Sequence, residues 1–526
     1  MRRLLLCLSA AAVTWANAGA HESPISAPGC AGKNPQQCVE LALDAMGGRD
    51  RLEQIKTVRV TTIGHTALAE QSYRQAPFIT SYERGKTTLD LASQRVLREA
   101  TLTWPESDPG QSENVSVWVA GPDGCVRRAK QGDSPCSLGD LHSARQMLTL
   151  GPERLLLTAY HAADLRFEAP EMLRATSHAV VAFAWQKVPV RVLLNAFNHL
   201  PDAVETTQQF YDFWYFWGDV HQKTYFDNWQ LFHGLVYPTN CVEERNGLLW
   251  RSTQALDVEF NVSIDDKSFV MDLNTAKKSV TSPGWNRPFR PDQAAVLAKG
   301  VDLFLGSWNA TVIKQPDGLV ILEAPISGIY TQGVIEEARK RYPGAPIKAV
   351  LSTSDSWPHT GGVRFAVAEG FPVYILDLNL PLLERVVKAP HTLEPDALAK
   401  NPREPQWKIV SDKVEVGSGE NRLELYPLRG ASTERQYLVY FPDSRLLYGS
   451  DTLVLNDDGS LYDPELLREV AQAVRRANFS SRHYLRYASR SRAVEAGARS
   501  NCKIATPLRR LKHLTVLQNG LRGTFL

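Results

Sequence analysis

The ten residues from Thr353 to Gly362 read Thr-Ser-Asp-Ser-Trp-Pro-His-Thr-Gly-Gly, and they bring hydroxyls, a carboxylate and an imidazole into one short segment. Imidazole and carboxylate oxygens suit zinc, manganese or iron. A zinc ion held with one coordination position open lowers the pKa of its bound water to roughly 7, which makes hydroxide available for hydrolysis. The same residue types also admit metal-free chemistry, with His359 taking the proton of Ser354 or Ser356 and a carboxylate orienting the imidazole. The nucleophile-elbow pattern G-x-S-x-G is absent from the stretch. Loop serines also commonly serve only to satisfy backbone groups.

The stretch resembles the zinc signature of the metallo-β-lactamase superfamily, T-H-x-H-x-D-H-x-G-G. In that register Ser354 and Ser356 stand at two zinc-binding histidine positions, Pro358 stands at a metal-ligating aspartate, and His359 keeps the remaining histidine. Serine hydroxyls are poor zinc ligands at neutral pH, and proline has no side-chain donor. Residues 426–442 resemble the family's G-H-T-x-G-x-x-x-V-Y-x-P element, which puts Ser432 at another histidine position with Thr433 following. Residues 446–453 look like the strand and turn that carry the bridging aspartate, kept here as Asp451. The counterpart of the last histidine is His483, in a Ser-Arg-His-Tyr context in place of a glycine-flanked one.

The resemblance implies an αββα sandwich in which Ser354, His359, Ser432 and Asp451 converge at one edge between two sheets. It also implies that the dinuclear zinc centre is largely lost. The residues left for a metal are His359 and Asp451, with Asp355 and His483 as extra ligands, so the expected cofactor is either none or a single divalent ion, zinc first among them. Ser354, Ser356, His359 and Asp451 are the catalytic candidates.

Positioning such residues takes a framework, and 526 residues exceed what one hydrophobic core usually supports. With 43% hydrophobic and 22% charged residues the chain has the composition of an ordinary globular protein. Residues 1–20 read as a secretory signal peptide: Arg2 and Arg3, an apolar run from Leu4 to Val13, then small-residue cleavage sites at 16–18 or 18–20. That run is too short to span a bilayer, and no later stretch reaches about 18 uncharged apolar residues. The expected location is periplasmic or secreted. Beyond Cys7 six cysteines remain, and close spacing makes Cys30 with Cys38 and Cys125 with Cys136 the local disulfide candidates. Cys241 and Cys502 complete the set, and none forms a C-x-x-C motif.

The predicted fold class is α/β (α+β): a β-rich domain at 38–273, after a lead segment at 21–37, then a linker at 274–300 and the sandwich at 301–481. Pro35 ahead of apolar residues at helical spacing, with Gly47-Gly48 behind them, describes a short helix. Stretches 57–64, 115–120, 179–185 and 188–194 are rich in β-branched and aromatic residues, and alternate apolar residues from Leu256 to Ile264 give the period of a half-buried strand. A helix is expected at 152–164. This region is similar to the all-β domain, distantly like lipoprotein-carrier folds, that precedes the metallo-β-lactamase domain in some exported bacterial proteins. From Val301 strands and helices alternate, with strands at 302–306, 311–314, 319–323, 347–353, 372–377, 421–426, 436–441 and 446–448, and helices at 332–341, 362–368, 381–387 and 464–477.

Two features lie outside this scheme. Residues 210–217 hold seven aromatics in eight positions. Exposed, the run would be an apolar binding patch; its predicted state is a strand buried on both faces. The tail, 482–526, carries ten Lys or Arg against one acid, Glu495, in a chain whose net charge is only +2. A solvated extension explains it, and contact with an anionic membrane surface is the alternative. No Walker loop, dinucleotide fingerprint or nucleic-acid module is present.

The leading functional expectation is an exported hydrolase-like protein that is non-catalytic or chemically altered. One alternative is an active ester, lactone or amide hydrolase with a mononuclear site at His359 and Asp451. The other is a carrier of an apolar envelope molecule through the β-rich domain, near Phe213 to Trp217.

Overall fold

The computed structural model describes residues 27–67, 80–103, 114–130, 132–282, 284–290, 293–429, 435–452, 464–477 and 515–517. The expected signal peptide, Ser432, His483, Cys502 and most of the basic tail lie outside these residues, as does the side chain of Asp451.

The N-terminal region is one antiparallel sheet of thirteen strands made of two meanders. Strand Thr57–Ala67 begins the first meander and pairs with Leu248–Phe260, which ends the second. Helix Pro35–Ala45 starts where Asn34 and Gln37 cap each other reciprocally. Its buried face of Cys38, Val39, Ala42 and Leu43 packs on the sheet through Val58, Val181 and Phe226. Helix Leu138–Leu150, capped by Ser137 and Asp140, joins the same core. The helix expected at 152–164 is the shorter Leu155–Tyr160. Val262 and Ile264 lie beyond the strand they were expected to extend, because Asn261 turns the chain at φ 54°. Cys30–Cys38 and Cys125–Cys136 are disulfides, with Cα atoms 5.5 and 5.3 Å apart, and Cys241 has no disulfide partner among the described residues.

The C-terminal region is layered α/β/β/α. Its first sheet runs Gln293–Ala298, Val301–Leu305, Ala310–Gln315, Gly318–Leu322, Ile347–Leu351, Pro372–Leu376, Gln406–Val410. The first three pairings are antiparallel hairpins, and the last three are parallel, with helical connections. The second sheet runs Val414–Val416, Leu423–Pro427, Tyr437–Phe441, Leu446–Tyr448 and Thr515–Leu517. Between the sheets Ile313, Val320, Leu322 and Leu351 meet Val416, Leu425, Val439 and Phe441. Helix Gly328–Arg341 covers the outer face of the first sheet through Tyr330, Val334 and Ile335, and Val470 of helix Pro464–Arg476 covers the second through Leu438, Tyr440 and Leu447. Helix Leu273–Lys278 and strand Gln293–Ala298 both fall within the segment expected to be linker.

The aromatic run joins the two regions. It is a 3-10 helix at Phe213–Trp217 and not the strand expected. Asp212 caps it by accepting from the Trp214 backbone N–H at 2.9 Å, and Gly218 ends it at φ 68°, where a Cβ would stand 2.4 Å from the Pro390 carbonyl. Trp214 and Trp217 stack at 5.4 Å and lie in the core that also holds Ile321, Ala366 and Leu383 of the sandwich. Asp219 locks the junction by accepting from the Thr392 and Leu393 backbone N–H groups at 2.8 and 3.0 Å. A patch free to bind a ligand is therefore not what this run provides, because Trp214, Phe216 and Trp217 are buried. Among the described residues no helix is long and apolar enough to cross a membrane.

Candidate functional site

The segment Ser352–Gly362 leaves the C-terminal end of strand Ile347–Leu351, makes the short helix Trp357–Thr360, and enters helix Val363–Ala368 through Gly361 and Gly362. Those two glycines are required by space: a Cβ on Gly361 would stand 2.2 Å from the Ile326 carbonyl, and one on Gly362 would be 1.9 Å from Thr331 Oγ1. The tight approach draws the loop against the end of strand Gly318–Leu322. There Glu323 and Ile326 adopt left-handed φ values of 80° and 64°. Such backbone costs roughly 1–3 kcal/mol per residue and persists only where the surroundings impose it.

Two clusters result. In the first, Glu323 gathers hydroxyls and an imidazole from both sheets. Its Oε1 accepts from the Tyr448 hydroxyl at 2.8 Å and from the Thr353 hydroxyl, and lies 3.1 Å from His359 Nδ1. Thr353 Oγ1 is also 2.7 Å from Ser450 Oγ, and the Thr353 backbone N–H points at Glu323 Oε2. Ser450 too has a left-handed φ, 52°. The imidazole of His359 is fully buried and meets Trp308 edge to face at 5.4 Å.

In the second cluster Asp355 and Arg435 form an ion pair with both side chains about 1% exposed or less. Burial pulls the Arg435 guanidinium down to about 9. Asn379 donates to the Arg435 carbonyl at 2.9 Å, Ser354 and Gln436 form an isolated antiparallel bridge, and the Tyr437 N–H donates to the Thr353 carbonyl at 3.1 Å. Residues 435–437 are thereby stitched to residues 353–355.

The catalytic candidates come together only in part. Ser354 Oγ accepts from the Ser356 backbone N–H at 3.1 Å, and the carbonyls of Asp355 and Ser356 receive the Thr360 hydroxyl. The described contact of the His359 imidazole to a charged group runs to Glu323, not to either serine hydroxyl. Asp451 sits in the 3-10 turn Ser450–Thr452, so its backbone borders the first cluster through Ser450. Among the described residues no three His, Cys, Asp or Glu side chains lie close enough to share an ion. Among the described residues Asp355 is paired with a guanidinium, and the His359 imidazole stands beside the buried Glu323 carboxylate.

Glu323, Arg435, Tyr448 and Ser450 were not among the sequence candidates. The available signal was position: Glu323 closes the apolar run Leu319 to Leu322, and Arg435 stands just before the buried strand Tyr437–Phe441, so each charge abuts a strand that goes into the core.

No family model matches the chain, and no curated protein matches it. Solved structures are similar over parts of it. A LolA superfamily protein from Nitrosomonas europaea is 12% identical, with a TM-score of 0.30, over 45% of this chain and 98% of its own length. The metallo-β-lactamase DIM-1 is 17% identical, with a TM-score of 0.28, over 37% of this chain and 87% of its own. The inverting sec-alkylsulfatase Pisa1 from Pseudomonas sp. is 15% identical, with a TM-score of 0.26, over 35% of this chain and 36% of its own.

Proposed function

We propose that this chain is an exported protein of metallo-β-lactamase type whose sandwich no longer runs the dinuclear zinc chemistry and serves a non-catalytic, binding or scaffolding role. The observation that supports the reading is the orientation of His359. The one histidine left in the signature is fully buried, with Nδ1 3.1 Å from Glu323 Oε1 beside the Thr353 and Tyr448 hydroxyls, an environment that supports a structural part for it. The apolar run at residues 4–13 and the two disulfides are compatible with export.

The test is elemental analysis of the mature protein purified without chelator, together with a panel of ester, lactone, β-lactam and sulfate-ester substrates. Less than about a tenth of an equivalent of transition metal and no turnover is the expected result. About one equivalent of zinc, iron or manganese that disappears in His359→Ala, accompanied by hydrolysis, would replace this reading with the mononuclear site at His359 and Asp451.

A second reading, an apolar ligand carried by the N-terminal domain, is favoured by one specific feature. A cavity of about 220 Å³ opens between helix Leu138–Leu150 and the sheet, lined by Ala120, Leu141, Ala144 and Leu148, with Arg145 and Gln186 also on its wall. Lipid co-purifying with wild type and lost in Ala144→Trp would support it; a lipid-free wild type, by mass spectrometry, would remove it.

A further inference from the structure

We propose that the guanidinium of Arg435 is the resident cation of the signature loop, doing through a side chain what a bound metal ion would otherwise do: it balances a buried carboxylate and ties the two sheets together. The inference rests on the metal-free reading above and names what took over.

Three observations carry it. The first is placement. Resemblance assigns metal ligands to the loop after strand Ile347–Leu351 and to the loop before strand Tyr437–Phe441, and the Asp355–Arg435 pair bridges those same two loops. The second is burial. Both side chains are almost wholly removed from water, where burying a carboxylate or a guanidinium is costly and an opposite charge alongside offsets that cost. The third is the preparation around the pair. Asn379 fixes the Arg435 backbone, and the Ser354–Gln436 bridge and the Tyr437 to Thr353 hydrogen bond hold the loops in register on either side. Arginine suits the role because its planar fork stays charged and matches a carboxylate.

An ion that replaces a metal should be replaceable by a cation in turn. The experiment uses the full mature chain in five forms: wild type, Arg435→Ala, Arg435→Lys, Asp355→Leu, and the double variant Asp355→Leu/Arg435→Met. Thermal midpoints are measured without additive and with millimolar guanidinium chloride, magnesium or zinc, and bound zinc is counted after gel filtration. Arg435→Ala should lose roughly 10 °C, Arg435→Lys less, and the double variant should recover most of the loss. Guanidinium or a divalent cation should raise the midpoint of Arg435→Ala and leave wild type and Asp355→Leu unmoved.

If Arg435→Ala is as stable as wild type, or if no cation restores it while the double variant is stable, the pair is an ordinary ion pair and the proposal is overturned with the metal-free reading intact. Should wild type itself retain a stoichiometric ion, the metal-free reading falls first. If Arg435→Ala fails to fold, Arg435→Lys decides: a folded lysine variant supports the proposal, and failure of Arg435→Lys to fold while the double variant folds overturns it.

Discussion

Glu323 Oε1 lies 3.1 Å from His359 Nδ1, and this contact joins the end of one strand to the signature loop that follows its parallel neighbour. The carboxylate also receives the hydroxyls of Thr353 and Tyr448, so two hydroxyls and the His359 ring converge on one oxygen.

Glu323→Ala should therefore cost ~3 kcal/mol or more, since it leaves buried donors unsatisfied as well as removing a charge partner. Tyr448→Phe removes a single hydrogen bond and should cost ~1–2 kcal/mol. Urea denaturation followed by tryptophan fluorescence measures both. A Glu323→Ala midpoint equal to that of wild type would show that the network contributes nothing to the fold.

Glu153 gives a pH dependence. It is buried under strand Leu235–Arg245 with the Tyr237 hydroxyl 3.4 Å away, and burial pushes its carboxyl up to about 7. A raised carboxyl means that the folded state binds the proton more tightly than the unfolded state. Its stabilising effect is complete below the unfolded value near 4.5 and is lost as pH rises through about 7. Wild type should lose up to ~3 kcal/mol from this group between pH 4.5 and pH 8, and Glu153→Gln should flatten that part of the curve. Parallel slopes for the two proteins would contradict the assignment.

The aromatic 3-10 helix gives a prediction about domain coupling. Trp214 is 1% exposed and packs in the core shared with the sandwich, so Trp214→Ala should cost ~3–5 kcal/mol. Scanning calorimetry should show one transition in wild type split into two in the variant. Asp219→Ala, which removes the acceptor for Thr392 and Leu393, should act in the same direction and more weakly.

The two disulfides close loops with sequence separations of 8 and 11 residues. Chain entropy assigns each about 2.5–3 kcal/mol. Replacing Cys125 and Cys136 together by serine should lower the midpoint of the N-terminal domain and leave the sandwich transition in place.

Much of the sandwich was legible because its strands are buried on both faces and read as short apolar runs. Val320 to Leu322 and Leu438 to Phe441 are examples, each placed within a residue or two of its observed ends. Helix Leu138–Leu150 was harder to see, since only Leu141, Ala144 and Leu148 are buried along it and its apolar stripe is weak. The aromatic run signalled burial correctly but not its conformation, because composition does not distinguish a strand from a turn of helix when Asp212 and Gly218 supply the caps.

At the site, the residue types of the loop from Thr353 to Gly362 could be read directly. The partners that decide its chemistry could not. Glu323 lies well before His359 in sequence and Arg435 well after Asp355, and no local pattern pairs them; only the layered packing of two sheets brings them together.

The pairing of Thr57–Ala67 with Leu248–Phe260 is the long-range closure of the N-terminal sheet. Within each meander the strands pair with their sequence neighbours, whereas the central seam joins residues 58–66 to residues 251–260. Without that partner, strand Thr57–Ala67 would be an open edge, a template for association with other chains. A product truncated before residue 248 would keep that edge unpaired, and long-range pairings of this kind are the ones that slow folding and expose a chain to aggregation.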